Sequence, residues 1–428
     1  MSKGAFGTLI ITNLQNMKGI GNSMVKVAVL GYGTVGSGVV EVIDTNGASI
    51  NKRAGQEIEI KYVLDIKDFP GDPIQDKIVH DINIILDDPE INIVVEVMGG
   101  IEPAYTFVKS ALAKGKSVCT SNKALVAKHG AELLEIAKQS NLNFMFEASV
   151  GGGIPIIRPL NQSLTADEIT QITGILNGTT NYMLTKMSRE GAGFDEVLKD
   201  AQEKGYAERN PEADIEGFDA CRKIAILTSL AFGAQVDFED IYTEGITKIT
   251  DKDFKYADKL GYAIKLLATS RKSNGEVYAM TAPFMISESH PLYSVNGVLN
   301  GIYINGNVLG DVMFFGAGAG KLPTASAVVS DIVDCAKHMG KNVMTVWSST
   351  KLELGDISDY ERKFFVRVAG NVNDKLDEVK AAFGDVDVVT ADGLDDEFGF
   401  VTEVISEKKY EEAAGRVSGI IGRIRMED

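Results

Sequence analysis

The chain has few of the residues that staple, chelate or anchor a protein. Its 428 residues include three cysteines, Cys119, Cys221 and Cys335, with no C-x-x-C spacing. A small odd set gives no disulfide framework and points to a reducing compartment, taken here as the cytoplasm. Four histidines, at 80, 129, 290 and 338, lie far apart, which argues against a zinc site. No apolar run approaches the roughly 18 residues a membrane span needs. Basic residues are outnumbered, 43 Lys and Arg against 60 Asp and Glu, for a net charge of −17. A surface of that sign suits neither nucleic acid nor an anionic membrane as partner, and its plain use is solubility.

What remains is an ordinary globular balance, 44% hydrophobic and 24% charged, with ample material for a core. At about 150 residues per domain the length suggests two to three domains. Residues 1–23 differ in texture, with one short apolar patch at Leu9-Ile10-Ile11 and no arginine. They fit no signal or transit peptide. The expectation is a loosely attached extension, or a start codon placed too early, before Met24.

The most informative stretch is VKVAVLGYGTVGSGVV, residues 25–40. A β-branched run ends in Gly31-x-Gly33-x-x-Gly36 and passes directly into a helical pattern. Gly31 permits the turn, Gly33 lets backbone approach a pyrophosphate, and Gly36 allows close packing of helix and strand. Free N–H groups at the helix start face the phosphates. The alternative is a glycine-rich turn in some other α/β domain.

Strand patterns at 25–30, 58–64, 91–97, 116–119 and 143–146 alternate with helical patterns at 34–45, 103–114 and 123–139. This rhythm predicts a doubly wound parallel sheet over 24–150, with ligands at the strands' carboxyl ends. After Gly151-Gly152-Gly153 the texture changes to a strand at 166–176, helices at 179–189, 194–204 and 217–232, and period-two stretches at 261–286 and 298–315. These predict an α+β domain with an open sheet over 151–315. A glycine turn at 316–320 enters a helix near Thr324, and 316–340 completes the first domain. From about 351 a third unit follows in the order strand, helix, strand, strand, helix, strand.

Four groups of residues carry chemistry. Asp65, after the strand Tyr62-Val63-Leu64, stands either as an acceptor for ribose hydroxyls or as a solvated turn residue. It lies further from Gly36 than the usual spacing of roughly 20 residues, a difference assigned to a loop at 46–57. Lys61 and Lys67 flank it. NIVVEVMGG (92–100) and Ser121-Asn122-Lys123 both end strands where a nicotinamide and its substrate would lie. Lys123 opens a helix, a place the macrodipole disfavours for a cation, so it is either functional or a surface lysine. GYAERNPEADIEGFDACRK (205–223) offers Glu208, Asp214 and Asp219 beside Lys223, with Asp219 and Lys223 on one helix face. That spacing is either a surface ion pair or, because the helix continues as IAILTSLAF, an acid/base group among carboxylates. Finally, Glu147 precedes the bend Val150-Gly-Gly152-Gly-Ile154, which reads either as carbonyl oxygens for a hard cation or as a hinge.

Together, GYGTVG, EVMGG, CTSNKAL, EASVGGGIPI, GILNGTTNYM, the 204–223 block, HPL at 290–292 and GAGAGKLPTASAV resemble homoserine dehydrogenases over about 24–340. The resemblance implies reversible, NAD(P)-dependent conversion of L-homoserine to L-aspartate 4-semialdehyde, on the route to threonine, methionine and isoleucine. It implies a homodimer or homotetramer assembled through the middle sheet. Position by position it assigns Gly31, Tyr32, Gly33, Thr34, Val35, Gly36, Gly99, Ser121, Lys123, Gly318 and Gly320 to the cofactor, with Asp65 beside them. It assigns Asn177, Gly178, Thr179, Tyr206, Glu208, Asp214 and Asp219 to the substrate, and Lys223 to proton transfer with Lys123 as second candidate. Glu147, Val150, Gly152 and Ile154 match a sodium site in that family.

Two departures stand out. Leu64 occupies a position where many members carry an arginine for the 2′-phosphate of NADP, which tilts the reading to NAD. The unit at 351–428 resembles an ACT domain with ferredoxin-like order, a seat for an amino-acid effector, yet FFVRVAG is followed by NVNDKLDEV without the usual Pro-Gly pair. A purely structural role for that unit is the alternative. A different reading of the whole chain is a silent NAD- or amino-acid-binding subunit, which has no use for Lys123, Glu208, Asp219 and Lys223 together.

Overall fold

A computed structural model describes residues 24–427. The expected extension at 1–23 lies outside the described residues. The described chain forms two compact units. The first comprises 24–120, 133–146 and 328–343; the second comprises 121–132, 147–327 and 344–427.

The first unit is a six-stranded parallel sheet in the order β3-β2-β1-β4-β5-β6. Its strands are β1 (Met24–Leu30), β2 (Glu57–Leu64), β3 (Ile78–Val79), β4 (Ile91–Glu96), β5 (Ser117–Thr120) and β6 (Phe144–Met145). This is the dinucleotide-binding strand order, with the reversal of direction at β1 and β4. β1 is central because Val25, Val27, Ala28, Val29 and Leu30 are all buried, so neither face tolerates water. Its helices are α1 (Thr34–Ala54), α2 (Ile82–Leu86) and α3 (Ala104–Ala113), while α4 (Lys123–Gln139) starts among residues of the second unit and ends among those of the first.

α1 corrects the expected loop at 46–57. The helix runs unbroken through Asn46 and Gly47 to Ala54. Poor local propensity there is overridden by burial of Ile43, Ile50 and Ala54 on one face. Lys52 and Arg53 suit the last turn, and Gly55 closes the helix in the left-handed conformation. The long separation of Gly36 from Asp65 is therefore extra helix.

The second unit is built on one eleven-stranded mixed sheet. β7 (Ile169–Ile175) lies between the long hairpin β10 (Tyr262–Ser273) and β11 (Glu276–Ser287) on one side and β12 (Leu299–Gly306) with edge strand β13 (Gly310–Ala317) on the other. The hairpin turns on Asn274-Gly275, both at positive φ (52° and 88°), as a two-residue turn requires. Packed in this unit are α5 (Gly178–Glu190), α6 (Phe194–Glu203), α7 (Glu212–Ile215), α8 (Phe218–Phe232) and α9 (Asp251–Leu260). A small ribbon pairs β8 (Ala234–Gln235) with β14 (Ser348–Lys351), and β9 (Tyr242–Thr243) adds to β11. α10 (Lys321–Lys337) follows the glycine turn, as expected near Thr324.

Residues 361–427 fold as β15 (Glu361–Ala369), α11 (Val372–Phe383), β16 (Val386–Val389), β17 (Glu397–Thr402), β18 (Ile405–Ser406), α12 (Glu407–Ala414) and β19 (Ile420–Glu427). The strand order β19-β15-β17-β16, antiparallel throughout, is the ferredoxin-like arrangement. The sequence sets this segment apart as a third unit. In the structure β19 pairs with β11, Phe284 against Arg425, so one sheet runs through both parts. Buried ion pairs reinforce the seam. Arg425, 1% exposed, bonds Glu407 at 2.5 Å and Glu244 at 2.7 Å, and Arg367 bonds Asp253 at 2.9 Å and Glu397 at 2.8 Å. No described helix is long and apolar enough to cross a membrane.

Removing one member of such a buried group leaves its partners charged and unpaired, at about 3–5 kcal/mol. Arg425→Met should lower the free energy of denaturant unfolding by about that amount. A denaturation midpoint equal to that of the wild type would show that the seam does not depend on this group.

Candidate active site

The nucleotide turn can be tested atom by atom. Gly31 sits at φ +100°, closed to other L-residues without strain, and its N–H donates to Leu64 O at 2.8 Å. A Cβ on Gly33 would meet nothing within 4 Å, so this position opens onto free space. A Cβ on Gly36 would lie 1.9 Å from Gly31 O and 3.4 Å from a Val97 methyl. The third glycine thus serves the turn's own backbone first, and strand packing second. Gly33 caps α1 without a side-chain bond, and Thr34 and Val35 open the helix, leaving its first N–H groups for a ligand.

Asp65 is more than a turn residue. Its two oxygens accept the Tyr32 N–H at 2.8 Å and the Lys67 N–H at 3.0 Å, which fixes the carboxylate at the carboxyl end of β2 against the glycine turn. Leu64 is buried beside it. Lys61 is bound by Asp88 and Glu90, at 2.5 and 2.7 Å, whereas Lys67 is exposed. Gly99, at φ +81°, follows β4, where Glu96 accepts the N–H groups of Met98 and Gly99. These residues belong to the first unit and fit a dinucleotide.

Ser121, Lys123, Gly318 and Gly320 belong to the second unit. A Cβ on Gly318 would lie 2.0 Å from Asn300 Nδ2, and one on Gly152 would lie 2.3 Å from Gly318 O. Only glycine fits at either contact. Asn300, buried in β12, is a residue the sequence reading missed; nothing in its local pattern separates it from a strand residue.

The centre of the second unit is the carboxylate of Asp219. Its Oδ1 is 2.7 Å from Lys123 Nζ, and its Oδ2 is 2.7 Å from Lys223 Nζ. Lys223 also donates to Leu176 O at 2.8 Å, and Asn177 Nδ2 donates both to Asp219 Oδ2 at 3.0 Å and to Asp214 Oδ1 at 2.7 Å. Asn177 is held in turn because its Oδ1 caps α5 through the Thr180 N–H at 2.9 Å. This is no surface pair: the side chains of Asp219 and Lys223 are 7% and 11% exposed. Lys123 retains 41% exposure, its stem reaching solvent while its ammonium meets Asp219. The unfavourable lysine at the start of α4 is thus explained by the carboxylate that receives it.

The electrostatics follow. Burial alone would raise the Asp219 carboxyl, but the two ammonium groups overcome it and hold it well below the usual range. Burial opposes the charge on Lys123, and Asp219 more than offsets this, so Lys123 is raised. Asp214 is raised, by burial first, against the pull of the Asn177 bond. Two lysines and two aspartates make a cluster of zero net charge when all are ionised.

The remaining predicted substrate residues surround α5. Gly178 opens it, packed on Val298 O, and the Thr179 hydroxyl donates to Tyr206 O at 2.5 Å. Tyr206 is 44% exposed and meets Tyr182 edge-on, with ring centroids 4.9 Å apart. The Glu208 side chain is exposed and forms no bond to the lysine cluster. At the Glu147 bend the carboxylate accepts the N–H groups of Ile156 at 2.5 Å, Ile157 at 2.8 Å and Arg158 at 2.8 Å. Val150, Gly152 and Ile154 are buried, and among the described residues their carbonyl oxygens accept no backbone hydrogen bond outside helices and strands. Hard oxygen donors of this type suit a monovalent cation; the Glu147 carboxylate itself is turned to the amides.

A dinucleotide turn and a buried lysine–aspartate cluster define the class of the protein, a nicotinamide-dependent oxidoreductase. Comparison with known proteins is specific. Residues 31–147 match a family described as homoserine dehydrogenase, NAD binding domain, and residues 155–333 match one described as homoserine dehydrogenase. A homoserine dehydrogenase of Synechocystis sp. is 50% identical over 319 residues, 72% of this chain and 73% of that protein. One from Helicobacter pylori is 41% identical over 85% of each chain. The crystal structure of a homoserine dehydrogenase from Thiobacillus denitrificans superposes with a TM-score of 0.88 at 36% identity, covering 95% of this chain and 98% of that one. A hyperthermophilic archaeal homoserine dehydrogenase in complex with NADPH superposes at 0.63 with 31% identity, covering 73% of this chain and 97% of that one. The chain belongs to the homoserine dehydrogenase family.

Asp219→Asn removes the charge that keeps Lys123 protonated and leaves the burial that opposes it, so the Lys123 pKa falls. The variant should lose about 100-fold or more in turnover. The pH profile of its residual homoserine oxidation should shift to lower pH by about one unit or more. A profile superposable on the wild type would separate Asp219 from proton transfer.

Proposed function

We propose that this chain interconverts L-homoserine and L-aspartate 4-semialdehyde, with Lys223 and Lys123 as the proton-handling pair. The observation that carries the assignment is the single Asp219 carboxylate shared by two ammonium groups. A dihydronicotinamide held at the Gly31–Gly36 turn would supply the hydride for C4 of the aldehyde in the reducing direction. The developing alkoxide is met by a cation, and the Lys223 Nζ delivers the proton that makes the alcohol. In the reverse direction the same amine takes the hydroxyl proton. Asp219 has both oxygens committed to lysines, so it orients them, whereas the exposed Glu208 carboxylate is the available partner for the substrate ammonium. No covalent intermediate is needed. Cys119 is buried in β5, and burial pushes the Cys221 thiol up, away from nucleophile chemistry.

NAD is the proposed cofactor. Asp65 is fixed where a ribose 2′-hydroxyl would be bound, and a 2′-phosphate would meet its charge with Lys61 already engaged and Leu64 in place of a guanidinium. A monovalent cation, sodium by the family resemblance, is proposed at the carbonyls of Val150, Gly152 and Ile154, near Glu147. The protein is proposed to assemble as a homodimer or homotetramer. Edge strand β13 exposes Met313 (39%) and Phe315 (52%), consistent with a covered face in the assembly.

The C-terminal unit is proposed to hold an amino-acid effector. A cavity of about 670 Å³ lies beside β19 and α12, lined by Glu216, Phe218, Lys248, Tyr410 and Arg423 among others. That volume suits a small ligand. Glu216 and Phe218 flank Gly217, the N-cap of α8 and so of the helix bearing Asp219.

Purified protein should reduce L-aspartate semialdehyde with NADH at a kcat/KM at least about tenfold above that with NADPH. Asp65→Ser should narrow the gap, and NADPH preference in the wild type would reverse the assignment. Lys223→Ala should lower kcat by about 100-fold or more while the protein remains folded. Full turnover in that variant would remove Lys223 from the chemistry, and its absence in wild type would favour the silent binder. Threonine and related amino acids, added to the same assay, should inhibit and raise the melting temperature if the cavity is occupied. An effect on neither would leave the C-terminal unit as a structural part.

A further inference from the structure

Trp347 is the only tryptophan in the chain, and it is 6% exposed although its neighbours Met344 (69%) and Val346 (59%) stand in solvent. It pins an otherwise exposed strap, residues 344–352, onto the two helices that carry the lysines. Its Nε1 donates to Gln235 Oε1 at 3.0 Å, and Gln235 Nε2 donates to Ala127 O at 3.2 Å. Ala127 lies one turn after Lys123 on α4. The indole also lies on Gly130 of α4, where a Cβ would come within 2.8 Å of Cη2, so the helix gives up a side chain to admit the ring.

The same strap grips α8. The Ser348 N–H donates to Gly233 O, the C-cap of α8, at 3.0 Å, and the Leu352 N–H donates to Gln235 O at 2.7 Å. The Val236 N–H then donates to Ser229 Oγ on α8 at 3.0 Å. Gln235 is thus bonded to one lysine-bearing helix through its side chain and joined to the other through the chain.

We propose that Trp347 and Gln235 are positioning residues for the dehydrogenase reaction, fixing the separation of α4 and α8 so that Lys123 and Lys223 reach opposite oxygens of one carboxylate. The inference rests on the assignment of those lysines to proton transfer. Lys123 is partly exposed and its ammonium is held by Asp219, so its place depends on where α4 begins. Lengthening a 2.7 Å contact by one ångström ends the hydrogen bond, and small misplacements of this kind are costly to catalysis.

Trp347→Phe keeps an aromatic ring against Gly130 and removes the N–H, and Gln235→Met removes the bonds at similar length. Both should lower kcat for semialdehyde reduction about tenfold or more, with KM for substrate and cofactor within about twofold. Both should move the pH profile in the direction expected for Asp219→Asn, toward lower pH. A strap that only stabilises the fold would lower the melting temperature and leave the profile of the folded fraction unchanged, which overturns the proposal, as would loss of folded protein in both variants. Lys223→Ala separates the two assignments. If it retains turnover, the lysine reading fails; if it is inactive while Trp347→Phe and Gln235→Met match the wild type, only the strap does.

Discussion

One buried carboxylate organises the second unit. Asp219 sits 7% exposed in a helix that buries Ala220, Cys221, Ile224, Ala225, Ile226 and Leu227, a place where an isolated charge would be driven neutral. It stays ionised because a lysine meets each oxygen at 2.7 Å. The constraint is mutual. Lys223 is nearly as buried and, besides Asp219, donates to the neutral carbonyl of Leu176. Neither lysine could hold its place without the carboxylate, and the carboxylate could not remain charged with only one of them as easily as with two. Asn177 completes the arrangement by keeping Asp214 near Asp219 without direct contact between like charges.

Such a cluster holds one of its lysines charged against the pull of burial. The raised Lys123 ammonium stays charged at neutral pH, which suits stabilisation of a developing alkoxide. Oxidation of an alcohol needs a neutral amine, and the Asp219 carboxylate makes Lys123 a reluctant one. Were Lys123 the base, alcohol oxidation would rise with pH while its charge would still meet an alkoxide at neutral pH.

The sequence made part of this legible. GxGxxG, Asp65 after its strand and the strand rhythm were readable because each depends on neighbours within a few dozen residues. Lys123 was readable as an anomaly, a cation at a helix start, but its cause lies in Asp219, 96 residues away. α1 was read as ending about ten residues early because Asn46 and Gly47 are poor helix formers, and only packing of Ile50 and Ala54 reveals that it continues. Trp347 with Gln235 left no local signature: the two are 112 residues apart, one in a connection and the other in the two-residue strand β8. The C-terminal segment shows the same limit. Its βαββαβ order was readable, whereas the pairing of β19 with β11 depends on main-chain groups that carry no sequence signal.

That pairing gives the C-terminal segment a short physical route to the lysines. Arg425 on β19 holds Glu244 at 2.7 Å, the Glu244 N–H donates to Thr281 O on β11 at 2.8 Å, and the Ile246 N–H donates to Ile215 O at 2.8 Å. Two residues on, Gly217 begins α8 in the left-handed conformation, with Thr243 and Thr281 methyls close to where a Cβ would stand. Asp219 follows within the first turn of that helix. A segment that shares a sheet with the substrate core and grips the loop against the start of α8 needs no large motion to influence Asp219. A shift of that loop would carry to the start of α8, because packed interiors transmit such shifts and do not absorb them.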